Sequence, residues 1–162
     1  MTASLHTEMD RPSDREVRFT RLLDAPRELV WQAWTDPARI LAWWGPSGFR
    51  TTTMSFDLRV GGEWRHVMHG PDGTDYPNRT VFREIVPPSL LVYENGWDLP
   101  GAPLDFKSVV TFKAEGKQTL LTLHMAFYDA EAFKVAVERY GAIEGGMQHM
   151  ARLAEYLAKE AA

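Results

Sequence analysis

Five histidines, a large stock of aromatic side chains and no cysteine set the chemistry open to this 162-residue chain. His66 stands two residues from both Trp64 and Met68, so on a strand the three share one face. A polar ring among large apolar side chains there needs a hydrogen-bond partner. Imidazole titrates near neutrality, which makes His66 a candidate general base or ligand anchor, with Tyr93 as a phenolic partner for acid–base work. The plainer reading of His66 is a buried histidine with its hydrogen bonds satisfied. His149 flanks Met150 on a helical pattern, His124 alternates with Leu123 and Met125, and His66 and His69 point to opposite faces of one strand. No H-x-x-x-H or H-E-x-x-H spacing occurs and thiolates are absent, so neither a metal nor a cofactor is expected. Phosphate-loop and G-x-S-x-G patterns are also missing, and covalent catalysis has no evident nucleophile. Asp57 and Arg59 read as a surface ion pair, because they have no base beside them.

Aromatic residues make up 12% of the chain, six of them Trp, and a lined cavity is one outlet for so many rings. Trp43, Trp64, Met68, Tyr93, Trp97, Phe106, Met147 and Met150, together with His66 and His149, are the candidate lining of an apolar pocket with a few polar tips. Methionines suit such a surface because they adapt to ligands of varied shape. Plain core packing is the competing reading for each of these side chains.

The elements that must position them follow from periodicity. Residues 1–14 carry no apolar period and read as a disordered tail, with residues 15–162 as one domain. Alternation marks a first strand at 16–23. Pro26, and then Asp36-Pro37, open two short helices, the second running through Trp43 and Trp44 to a stop at Gly45-Pro46. Period two then returns, with Thr52, Met54, Phe56 and Leu58 on one side, and about six consecutive strands follow as far as Tyr128. Asp129 caps a helix through Tyr140. The segment 141–162 is the clearest helix, with Ile143, Met147, Met150, Leu153 and Leu157 on one face and Gln148, Arg152, Glu155 and Lys159 opposite. Strands in succession before a terminal helix predict an α+β fold with an antiparallel meander. The net charge of −4 and scattered basic residues argue against nucleic acid. No window is apolar enough to span a membrane and none resembles a secretory signal, which together with the lack of cysteine predicts a cytoplasmic protein.

Five motifs stand in a telling order: Asp24-Ala25-Pro26 leading into Trp34-Thr35-Asp36-Pro37, Trp43-Trp44-Gly45-Pro46, Asp57 to Gly62, Gly70-Pro71-Asp72-Gly73, and Glu144-Gly145 with Leu153 and Leu157. Over roughly residues 15–159 the chain resembles the Hsp90-ATPase-activator-homologue group of the START-like (SRPBCC) superfamily. The resemblance implies a helix-grip fold, a curved antiparallel sheet wrapped around the C-terminal helix with a ligand cavity between them. Relatives often carry Gly-Trp where this chain has Gly145-Gly146, which implies a cavity enlarged at that point or filled by Met147 and other aromatics. The leading functional expectation is a binding protein for a small hydrophobic molecule. A cyclase- or hydrolase-like enzyme using His66 and a pocket tyrosine is the second. An interaction module acting on Hsp90 is the third, although only about 14 residues precede the expected domain, where the Hsp90 activator carries a separate chaperone-binding domain. Self-association through a sheet edge or the Trp43-Trp44 corner is left open.

Overall fold

The computed structural model describes residues 6–161. Strand β1 (Glu8–Ser13) turns back into β2 (Glu16–Leu23), and helices α1 (Arg27–Thr35) and α2 (Pro37–Ile40) follow. Six strands run in succession: β3 (Arg50–Phe56), β4 (Glu63–His69), β5 (Asp75–Val86), β6 (Leu90–Trp97), β7 (Leu104–Glu115) and β8 (Gln118–Phe127). Helices α3 (Ala130–Tyr140) and α4 (Ala142–Ala161) end the described chain. All strands lie in one curved antiparallel sheet of order β1-β2-β8-β7-β6-β5-β4-β3, gripping α4 as the α+β reading expects.

Three local expectations are corrected. The tail expected at 1–14 is a strand over Glu8–Ser13, paired with β2 from Glu8 opposite Thr20 to Ser13 opposite Glu16; its own side chains are mostly exposed, so it leaves no apolar signature. The rest of that expectation, residues 1–5, lies outside the described residues. Helix α2 stops at Ile40, and Trp43 and Trp44 follow in a turn closed by their amides on the Ile40 carbonyl. In β3 a bulge between Thr53 and Ser55 reverses the parity, so Thr51, Thr53 and Phe56 face inward while Met54 is 62% exposed. Gly141 adopts a left-handed conformation (φ 64°) and separates α3 from α4, one of the two arrangements expected at that glycine.

Helix α4 buries Met150, Leu153 and Leu157, with Ile143 and Met147 half-buried beside them. Gly146 lies on the same side, where an added Cβ would fall within the ring of Phe19 from β2. Of the two implied outcomes, an enlarged cavity or a space filled by aromatics, the second holds at this glycine: the ring of Phe19 fills it, and the missing side chain lets helix and sheet approach. On the opposite flank Glu155 and Lys159 are exposed, whereas Gln148 and Arg152 meet the loop after α2. Arg152 Nη1 donates to the carbonyls of Trp44 (2.8 Å), Gly45 (3.1 Å) and Pro46 (3.0 Å), and Gln148 Oε1 accepts from the Ser47 amide (3.1 Å).

Two variants test this packing by urea denaturation. Arg152→Ala leaves three loop carbonyls without their donor and should cost about 3 kcal/mol. Gly146→Ala gains about 1 kcal/mol of helix propensity but overpacks against Phe19, so the net effect should be destabilising, and it should turn favourable in a Phe19→Leu background.

Candidate functional site

The inner face of the sheet is built by strand parity. Cross-strand pairing sets Thr53, His66, Asn78 and Trp97 in one row and Trp64, Thr80 and Asn95 in the next, with Phe82, Tyr93 and Ser108 beyond. Polar groups therefore run through an apolar surface facing α4. Most of them are paired: Asn95 donates to Thr80 Oγ1 (2.7 Å), Trp64 Nε1 donates to Thr53 Oγ1 (3.0 Å), and Tyr93 is hydrogen-bonded to Ser108. Burial holds the Tyr93 phenol well above its ordinary value, partly opposed by Ser108.

Aromatic rings pack over this strip. His66 stacks on Trp64 with ring centroids 3.7 Å apart and meets the edge of Trp44. Trp34 from α1 touches Trp43, Trp44, Tyr93 and His149, joining the early helices to the sheet and to α4. His149 stands edge-on to Trp44 at 4.6 Å, and its Nδ1 accepts the Gly45 amide at 3.0 Å, which leaves the proton of the neutral ring on Nε2. Two ring nitrogens in this group are fully buried and have no hydrogen bond. They are Nδ1 of His66 and Nε1 of Trp34, both on side chains only 1% exposed.

Of the ten residues expected to line a pocket, Trp43, Trp64, His66, Tyr93 and His149 come together in this group, with Met150 in the same core. Met68 reaches the loop, its Cε close to Gly45, and Met147 packs half-buried on the core margin. Trp97 belongs to a second ring cluster with Tyr76 and Tyr140 near the end of α3. Phe106 stacks on Phe127 (4.7 Å), which leads to Phe133 in α3, a third cluster. His66 and Tyr93 are not adjacent, since the row of Thr80 and Asn95 lies between theirs. Residues outside the expected set also contribute: Trp34, Asn95, Thr80, Ser108 and Arg152. Asn95 was within reach of the strand pattern, two residues from both Tyr93 and Trp97; the others depend on long-range pairing.

The remaining candidates are peripheral. His124 pairs with Glu16 (2.7 Å), and Arg59 with Asp57 (2.7 Å) as expected for a surface pair. Among the described residues no group of three His, Cys, Asp or Glu side chains is placed to hold a metal. A cleft of about 350 Å³ lies away from the aromatic group, between the β1–β2 turn and α3, lined by Arg11, Asp14, Glu131, Phe133 and Lys134 among others. Its charges are mixed and its form is open, so the buried strip is the stronger candidate.

Burial lowers the pKa of His66 to about 4 and that of His149 to about 3, the latter helped by the neighbouring Arg152 cation. Both rings are neutral at pH 7. Below the ordinary value of 6.5 the unfolded chain takes up protons that these folded rings refuse, so their contribution is complete above pH 6.5 and drains away as pH falls. For His66 it is gone by about pH 4, a loss of roughly 3 kcal/mol, and His149 extends the decline to about pH 3. Urea titrations at pH 7, 5.5 and 4.5 should show this loss, and His66→Phe should flatten the slope.

Known proteins share this architecture. Residues 24–158 match the family model described as activator of Hsp90 ATPase homolog 1-like protein. Among solved structures the chain is similar to protein Ms6760 from Mycobacterium smegmatis, with 26% identity over 95% of this chain and 98% of that one and a TM-score of 0.84. Protein NE0264 from Nitrosomonas europaea is similar at 26% identity over 91% and 97%, TM-score 0.78. A protein from Arthrobacter aurescens shares the fold at 23% identity over 94% and 91%, TM-score 0.86. No curated protein matches the chain. With most of its length matched by the family model and its strands gripping α4, the chain belongs to the activator of Hsp90 ATPase homolog 1-like family.

Proposed function

We propose that the protein binds a small, largely apolar molecule between the inner face of the sheet and α4, in the cytoplasm. The family supports a ligand-binding type of domain. The observation that carries the reading is the pair of buried ring nitrogens without partners, His66 Nδ1 and Trp34 Nε1. Leaving a buried polar atom unpaired costs about 1–3 kcal/mol, and a ligand with one or two polar atoms would recover that cost by bonding to them. The ring of His66 is neutral at pH 7, and the nearby guanidinium of Arg152 is engaged by loop carbonyls. The ligand this lining suits is therefore uncharged. Acid–base catalysis is less favoured, because Tyr93 is bonded to Ser108 and lies away from His66.

A thermal-shift screen of neutral apolar metabolites, followed by native mass spectrometry, tests the reading. A ligand at a hundredfold excess over its Kd should stabilise the fold by about 2.7 kcal/mol. His66→Phe and Trp34→Phe should each weaken that ligand while leaving the domain folded. A screen in which no apolar compound stabilises the protein, with nothing retained in native spectra, would refute it.

A further inference from the structure

The opposite face of the same sheet carries a separate constellation. Thr52 Oγ1 lies 2.9 Å from Nε2 of His69, and Nδ1 of His69 lies 2.7 Å from Oδ1 of Asp75. The carboxylate can only accept, so it places the imidazole proton on Nδ1 and leaves Nε2 free to accept the threonine hydroxyl. Nucleophile, base and orienting acid are thus linked in the required order. Three strands supply them: Thr52 from β3, His69 from the end of β4, and Asp75 from the start of β5, directly opposite His69. The hairpin between His69 and Asp75 is held by the Gly70 amide on the Thr74 carbonyl (2.8 Å) and by Asp72 on the Thr74 amide (3.0 Å), so the base and its carboxylate sit on a braced turn.

Two neighbours complete the chemistry. Arg50 is two residues before Thr52 and opposite His69, on the same outer face, and makes no ion pair or side-chain hydrogen bond among the described residues. Its cation is available to an oxyanion forming beside Thr52. Val67, opposite Thr52, and Pro77, opposite Val67, form a short apolar strip where an aryl or alkyl group can rest.

We propose that Thr52, His69 and Asp75, with Arg50, form an acyl-transfer site on the outer face of β3, β4 and β5 that hydrolyses activated esters. Thr52 Oγ bonds to the ester carbonyl carbon while its proton passes to His69 Nε2, and the resulting oxyanion faces Arg50. The bond from that carbon to the leaving oxygen then breaks, and His69 returns the proton to the departing alcohol. Water attacks the threonine ester with His69 again taking the proton, and Thr52 leaves reprotonated; the sum is ester plus water giving acid plus alcohol. Asp75 is a positioning residue acting through His69. The site is independent of the ligand-binding reading, since it lies on the other side of the sheet.

The test uses 4-nitrophenyl acetate with the full chain, following nitrophenolate release together with peptide mass spectrometry. An acetyl group on Thr52 is expected. Thr52→Val should lower the rate by about a hundredfold at an unchanged melting temperature, and Thr52→Ser should retain it. His69→Gln should abolish the adduct, while Asp75→Asn should lower kcat by about tenfold or more with KM unchanged. Wild-type release by Thr52→Val would show an imidazole acting alone and overturn the proposal, as would a wild-type rate no greater than that of free imidazole at equal concentration.

Discussion

One guanidinium anchors the loop that follows the early helices onto the last helix. Arg152 gathers three consecutive carbonyls of the Trp44–Pro46 segment, and one turn away His149 receives the amide of Gly45. This short loop is neither helix nor strand, and its backbone groups would otherwise lie against apolar rings without partners. Anchoring it sets the positions of Trp43 and Trp44, which in turn pack Trp34, Trp64 and His66. The clamp thus bears on the geometry of the central ring cluster.

The period of two does the rest. A strand shows alternate side chains to opposite sides, so one stretch of β4 presents Trp64, His66 and Met68 to the interior and Arg65, Val67 and His69 to the exterior. Two histidines three residues apart therefore live in different solvents. His66 is stacked, buried and neutral, whereas His69 is hydrogen-bonded on both nitrogens at a surface. The sheet is one layer with two chemistries.

Much of this architecture was legible in the residues. The helical stripe at Met150, Leu153 and Leu157, the alternation around Trp64 and the ordered turn motifs point to a helix gripped by an antiparallel sheet, and the structure has it. Legibility failed where a contact depends on partners distant in sequence. Arg152 looks like any solvated helix residue until the loop a hundred positions earlier is laid beside it. The bulge in β3 follows no composition rule, yet it inverts which threonines are buried. Gly146 allows either an enlarged cavity or a space filled by aromatics, and Phe19 from the far end of the chain takes that room. Thr52, His69 and Asp75 have no local spacing to betray them, because cross-strand register alone brings them together.

That bulge matters beyond the placement of threonines. A sheet of eight strands ends in two margins, each a row of unpaired amides and carbonyls on which a foreign strand could template itself. At one margin the ladder of β3 is interrupted near Met54; at the other, β1 loses register between Asp10 and Ser13, where Arg11 and Pro12 stand. Neither rim offers an unbroken run for continued pairing, so the fold carries its own safeguard against growing sideways into fibrils.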